Sequence, residues 1–350
     1  MPLARTAAAA VMLYDHSASP LSPLVDLVKP FLPLSLPLYS TLLTPGVPLH
    51  VYATFESGQA DQGLEEPWLI IADLGNQLRF FCSVEGEQQP APERLQQAQA
   101  LVGNGLRQYL KEHSRGRDRI SIGAIPDIWR SAVRDTFGTE PFSASEIHYR
   151  RSQDLPTLPT NGAIDGVSTS SGDEFVTTEG RIEDVAEILS TSEVPHPPAY
   201  LETRLPYTTV LRSCPSNPSS PDGATSPPSS DKSPALPAPR GGKILAHCTT
   251  HRDGSIGTLH VSPSARRRGY GSLVFLARAT RMRDVDSDGQ GSGSGSGSGS
   301  GYVFSYVHRE NESSNALMRS CGMDKSEYEV WWARVKLPLS SSLPATGEAP

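Results

Sequence analysis

Between residues 92 and 112, apolar side chains recur three and four apart, at Leu95, Ala98, Leu101, Val102, Leu106, Tyr109 and Leu110, directly after Pro92. That spacing stacks them on one side of a helix and predicts an amphipathic helix over the stretch. The segments ahead of it have another rhythm. Residues 47–55, 68–73 and 78–84 are short runs rich in branched and aromatic residues, and they read as strands. A strand over 120–124 and a helix from Ile128 to Phe137 complete a first α+β unit, residues 29–150. Residues 1–28 predict a weakly ordered lead-in, and Leu24 to Leu43 alternates leucine with proline.

A second unit spans 177–338. It opens with a helix near Arg181 to Leu189, with Val185, Ile188 and Leu189 on one side, and continues through Tyr207 to Arg212. Strands at 243–249 and 256–262 flank a hairpin turn at Asp253-Gly254. A helix over 272–283 and a strongly apolar strand, Tyr302 to Val307, follow. Stretches rich in Ser, Pro, Thr and Gly separate these pieces: a linker at 151–176, inserts at 213–241 and 284–300, and a tail at 339–350. The second insert carries a Gly-Ser repeat from Gly291, and both predict disorder without chemistry.

Composition narrows the function classes. The 31 prolines and 30 glycines explain why only 37% of 350 residues are hydrophobic, so the packed part is shorter than the chain. A net charge of −7 argues against a nucleic-acid partner, and the local cluster Arg266, Arg267, Arg268, Arg278, Arg281 and Arg283 suits a small polyanion better. Cys82, Cys214, Cys248 and Cys321 lack paired spacing, which predicts neither a disulfide framework nor a zinc site and fits a reducing, intracellular setting. No apolar run approaches the ~18 residues of a membrane span. The first residues, with one arginine and four alanines in a row, resemble neither a secretory signal nor an arginine-rich presequence, so a cytoplasmic rather than a mitochondrial location is expected.

The chemistry concentrates in residues 258–275. A strand runs into Arg266-Arg267-Arg268-Gly269-Tyr270-Gly271, and a helix opens at Ser272. Closely spaced glycines let backbone approach phosphates, while the first N–H groups of a helix have no internal partner and favour an anion. The arginines add forked donors. Taken alone, the segment has a second, weaker reading as a solvated basic turn. A second constellation follows the apolar strand: Asn311-x-x-Ser314-x-x-Leu317-Met318-x-x-x-Gly322-Met323.

Together, in this order, the two motifs resemble those of the GNAT acyltransferases. The Asp253-Gly254-Ser255-Ile256 hairpin, Tyr306-Val307-His308 with Asn311, and Trp331-Trp332 bring the resemblance closest to glycine N-acyltransferase-like proteins. It implies an α+β, three-layer fold: a mixed, mostly antiparallel sheet flanked by helices, with a degenerate GNAT-like N-terminal half. It also implies acetyl-CoA or another acyl-CoA as co-substrate, and a small-molecule amine or amino acid as acceptor. The pyrophosphate would lie on Arg266, Arg267, Arg268, Gly269, Tyr270, Gly271 and Ser272. The backbone of Leu259 and Val261 would pair with the pantetheine arm between two splayed strands. Asn311 would contact the cofactor or product, and Ser314 would either do the same or cap the last helix.

Two positions depart from the family pattern. Met318 stands where a tyrosine often protonates the leaving thiolate, and Ser255 stands where glycine N-acyltransferases tend to place an acid. Neither can replace the proton chemistry. His260 and His247, on strands bordering the expected cleft, are the candidate bases, His260 ranked first. Asp253 reads as a solvated turn residue. Two functions stay open: an acyl-CoA-dependent N-acyltransferase working by direct attack on the thioester, and a catalytically degenerate GNAT protein that binds acyl-CoA as regulator or scaffold.

Overall fold

The structure, a computed structural model, describes residues 11–44, 49–60, 64, 67–113, 116–156, 175–192, 194–213, 242–287 and 300–337. The first half contributes β1 (Tyr14–Asp15), α1 (Ser22–Val28), α2 (Leu36–Leu43), β2 (His50–Ala53), β3 (Leu69–Asp73), β4 (Gln77–Cys82), α3 (Pro92–His113), β5 (Arg119–Pro126), α4 (Asp127–Phe137) and β6 (Phe142–Arg151). Then come β7 (Phe175–Glu179), α5 (Val185–Thr191), α6 (Pro198–Arg204), β8 (Thr208–Ser213), β9 (Ile244–Thr250), β10 (Ile256–Val261), α7 (Tyr270–Ser287), β11 (Tyr302–His308), α8 (Glu312–Ser320) and β12 (Asp324–Lys336).

Among the described residues, twelve strands form two sheets. The larger runs β1-β2-β3-β4-β5-β12-β6-β11, and the smaller β10-β9-β8-β7. Every pairing is antiparallel except β4 with β5. Helices cover both faces of the larger sheet. Leu69 and Ile71 of β3 pack beneath α3 and α4, while Ile70 and Ala72 pack beneath α1 and α2. That double cover explains why β3 reads as an unbroken apolar run rather than an alternating one. This mixed, largely antiparallel architecture flanked by helices fits the GNAT fold.

Several elements depart from the expected boundaries. The lead-in contains α1, and the Leu-Pro stretch contains α2; a proline sits in the first turn of each, where a missing N–H costs no helical bond. β6 and β12 were not expected, β7 occupies the end of the expected linker, and α6 follows α5. α7 begins at Tyr270, two residues early, and runs on through 284–287 into the expected second insert. Most of both inserts, the centre of the linker, Cys214 and the tail lie outside the described residues.

Two features position the site. β12 runs between β5 and β6, so strands from the end of the chain complete the sheet begun by the first half. The edge strands β11 and β10 then lie side by side with no ladder between them, joined where the Ser305 hydroxyl donates to the Ile256 carbonyl at 2.7 Å. The first half has a comparable gap. β4 and β5 pair only at Gln77–Ser121 and Leu78–Ile122. There, fully buried Leu36 of α2 packs with Ala124, Ile147, Phe304 and Val330. The turn after β4 carries Glu85 and Glu87 where the turn after β10 carries arginines, so it lacks the forked donors a pyrophosphate needs.

Candidate functional site

The arginine–glycine turn lies between β10 and α7, at the mouth of the gap between β10 and β11. A 3-10 turn over Pro263–Ala265 ends the strand, and the chain reverses with Arg267 at φ +61° and Gly269 at φ +77°. Leu273 donates the first helical hydrogen bond, to the Gly269 carbonyl at 3.0 Å. The N–H groups of Tyr270, Gly271 and Ser272 therefore precede the first intrahelical bond. Arg266, Arg267, Arg268 and Gly269 are exposed. Tyr270 is buried against Phe175, anchoring the helix start. A Cβ on Gly271 would come within 3.1 Å of Leu317 and 3.4 Å of Val261, so glycine keeps the backbone close to α8 and β10.

Along the gap, β10 carries a bulge. Gly257 pairs with Thr249 and His260 with His247, which leaves Thr258 and Leu259 opposite Cys248 alone. Thr258 sits at φ +49°, a conformation costly for a β-branched residue. Ser262 donates to Leu245, so by ladder alternation the main chain of neighbouring Val261 faces away from β9, into the gap. The Val261 carbonyl accepts from Arg266 Nε at 3.3 Å.

The two sequence-derived histidines are cross-strand partners with stacked rings 5.7 Å apart. His247 is 1% exposed and shares a 3.0 Å hydrogen bond with Thr191. Burial, then the neighbouring His260, hold its pKa down at about 4. His260 is half-buried. Asn311 caps α8 by accepting from Ser314 N–H at 3.0 Å, so Ser314 is the capped residue and not the cap. Met318 is core, packed with Tyr270 and Leu273.

Asp253 is not solvated. It is 2% exposed and accepts from Arg79 of β4 at 2.6 Å and from both the amide and hydroxyl of Ser255. Burial alone would raise its pKa, yet the Arg79 guanidinium, with His251 and Ser255, holds the carboxyl at about 2. Arg79 in turn lies 4.9 Å from the Trp332 ring and 5.9 Å from that of Tyr306. The hairpin that carries the bulge is thus tied to the first half of the chain. Sequence reasoning passed over one residue here, His251. Its main chain bonds that of Ser255, and its ring folds over the bulge, hydrogen-bonded to Tyr200. The signal available in the sequence was Gly257, the small residue on which the ring rests.

Among solved structures, the chain is similar to a Drosophila protein determined by X-ray crystallography as a structural-genomics target. The two share 16% identity over 90% of this chain and 95% of that one, with a TM-score of 0.55. A tandem GNAT protein from the clavulanic acid biosynthesis pathway aligns over 93% of this chain and 99% of its own, at 12% identity and a TM-score of 0.45. A putative acetyltransferase from Pyrococcus horikoshii aligns over 93% and 90%, at 12% identity and a TM-score of 0.44. At these identities the likeness is one of fold. No family model matches the chain and no curated protein matches it. No helix among the described residues is long and apolar enough to cross a membrane.

Proposed function

We propose that the chain is a GNAT-type N-acyltransferase that moves an acyl group, acetyl foremost, from CoA to the amine of a small molecule or amino acid. The observation that carries this reading is the arginine–glycine turn at the N-terminus of α7, set at the mouth of a gap between two unpaired strand edges. Its exposed arginines, positive-φ turn and leading N–H groups suit a pyrophosphate, and the gap offers β10 backbone to an extended arm. Leu259 and Val261 would face that arm, and Asn311 would border it. In the reaction the amine nitrogen bonds to the thioester carbon, the C–S bond breaks, CoA leaves as thiolate, and the amine proton passes to a base. Positioning and proton removal supply most of the rate. Of the two histidines that the sequence offers as base, His260 and His247, the burial of His247 leaves His260 the more accessible. The glycine N-acyltransferase-like affinity rests on the sequence motifs, and the filled gap of the first half is consistent with one site per chain.

Calorimetric titration with CoA tests the reading. Wild-type protein should bind, and Gly271→Glu should abolish binding, because it sets bulk against Leu317 and a negative charge where the pyrophosphate would sit. Unchanged affinity in that variant would remove the site. CoA binding without transfer to any member of an amine panel would favour the degenerate, regulatory alternative.

A further inference from the structure

We propose that His251 takes the proton from the acceptor amine, with Tyr200 of α6 holding its ring for the task. This assignment rests on the acyltransferase reading and names the base within it.

Along β9 and the residue that follows it, side chains 247, 249 and 251 share one face, and opposite them lie His260 and Gly257 of β10 and Ser255 just before it. The His251 ring lies directly over the bulge. A Cβ on Gly257 would meet its Nε2 at 2.6 Å and Cδ2 at 2.9 Å, so the ring can occupy this place only because residue 257 is glycine. Nε2 is 3.3 Å from the Thr258 hydroxyl, on the residue with φ +49°. Backbone strain of this kind persists where the surroundings enforce it, commonly at functional sites. On its other side, Nδ1 is 2.8 Å from the Tyr200 hydroxyl. Tyr200 is itself stacked on His196 at 5.1 Å, with the Arg252 guanidinium 5.3 Å from its ring.

Position separates His251 from the other two histidines. His247 and His260 lie nearer the pyrophosphate turn. Gly257 lies four residues of strand, about 13 Å, from Val261, close to the Ile256–Ser305 contact that closes the gap. The reacting end of an arm anchored at α7 therefore comes to the bulge, where His251 waits. With a proton on Nδ1 donated to the Tyr200 oxygen, Nε2 carries the lone pair, and the amine takes the place of the long 3.3 Å bond from the Thr258 hydroxyl. As the new C–N bond forms and the C–S bond breaks, the proton on nitrogen passes to Nε2. The imidazolium then gives it to solvent.

The groups facing His251 set its charge. Asp253 favours a proton, whereas His196, Arg204 and Arg79 are positive or proton-competing neighbours. Burial is the largest influence and lowers the imidazole pKa to about 4, so the ring is neutral and able to accept at physiological pH.

Bromoacetyl-CoA tests the assignment without an identified acceptor. Bound CoA is first measured by calorimetry; absence of binding overturns the acyltransferase reading, and this proposal with it. Where CoA binds, the label's reactive carbon should reach His251. Nε2 bonds to the methylene, bromide leaves, and the Nδ1 proton goes to solvent. The expected result is one adduct, on the peptide bearing His251, suppressed by excess CoA and lost in His251→Gln while CoA affinity is kept. Gly257→Ala, which displaces the ring, should also lose it; His260→Gln and His247→Gln should not. Labelling should hold steady as pH is lowered and fall only near pH 4. An adduct on His260 or His247, or none at His251 with CoA bound, overturns the proposal.

Discussion

Arg79→Met removes the cation that ties the β9–β10 hairpin to β4, and its cost can be worked out from the pair itself. Both partners are about 2% exposed and meet at 2.6 Å. The descent of Asp253 from 3.8 to about 2 corresponds to about 2 kcal/mol of stability. A depressed carboxylate pKa contributes its stability above the unfolded value, so this share is complete above about pH 4 and is lost as pH falls towards 2. Removing one partner of a buried pair costs more, about 3–5 kcal/mol, because the carboxylate left behind is charged and dry. The larger figure is expected at pH 7, since Arg79→Met also takes the guanidinium from Trp332. It is a large share of a typical total of about 5–15 kcal/mol. Urea unfolding of Arg79→Met, Asp253→Asn and the double variant measures it. The single variants should each lose several kcal/mol, the double variant much less than their sum, and the gap between parent and Arg79→Met should narrow towards pH 2. A loss below about 1 kcal/mol for Arg79→Met, or simple additivity in the cycle, would refute the reasoning.

Glu85 is buried, which raises its pKa to about 8 despite bonds from Cys82 N–H and Trp129 Nε1. A raised carboxyl costs stability as pH climbs from the unfolded value towards 8, so Glu85→Gln should stabilise by about 3 kcal/mol at pH 7 and by almost nothing at pH 4 in urea melts. Asn315 joins α8 to β6 and β11 through His148 at 2.7 Å and the carbonyls of His308 and Arg309. Asn315→Ala should cost about 2–3 kcal/mol in the same assay, since it strands the buried imidazole. Asn311→Ala should cost about 1 kcal/mol through the lost cap, and Asn311→Asp should recover it.

Much of the fold could be read in the sequence where burial is one-sided or complete. The stripe from Leu95 to Leu110 packs as its spacing requires, and β3 announces itself as an apolar run. β6 and β12 were illegible because charges interrupt them: Glu146, Arg150 and Arg151 in one, Glu327, Glu329 and Arg334 in the other, with bulges breaking the alternation of β12. α2 hides because its helix is buried nearly all round, leaving no polar stripe to mark a period. At the site, the arginine–glycine turn was visible because its residues are contiguous. The His251 arrangement was not, since it depends on cross-strand register, on a bulge one residue wide, and on a tyrosine fifty-one positions away.

The placement of β12 between β5 and β6 governs how the protein can be made. A ribosome delivers the first half early, with β5 and β6 each presenting an unsatisfied edge to solvent or to neighbouring nascent chains. Those edges stay open through synthesis of nearly two hundred further residues, because their partner is the strand Asp324–Lys336 near the end of the sequence. Folding of the first half therefore waits on β12 for its final step, is slow in the manner of long-range strand pairing, and is most vulnerable to aggregation while β12 is missing. A nonsense change between residues 324 and 330 would spare both proposed cofactor motifs and still remove most of the strand that completes the first half.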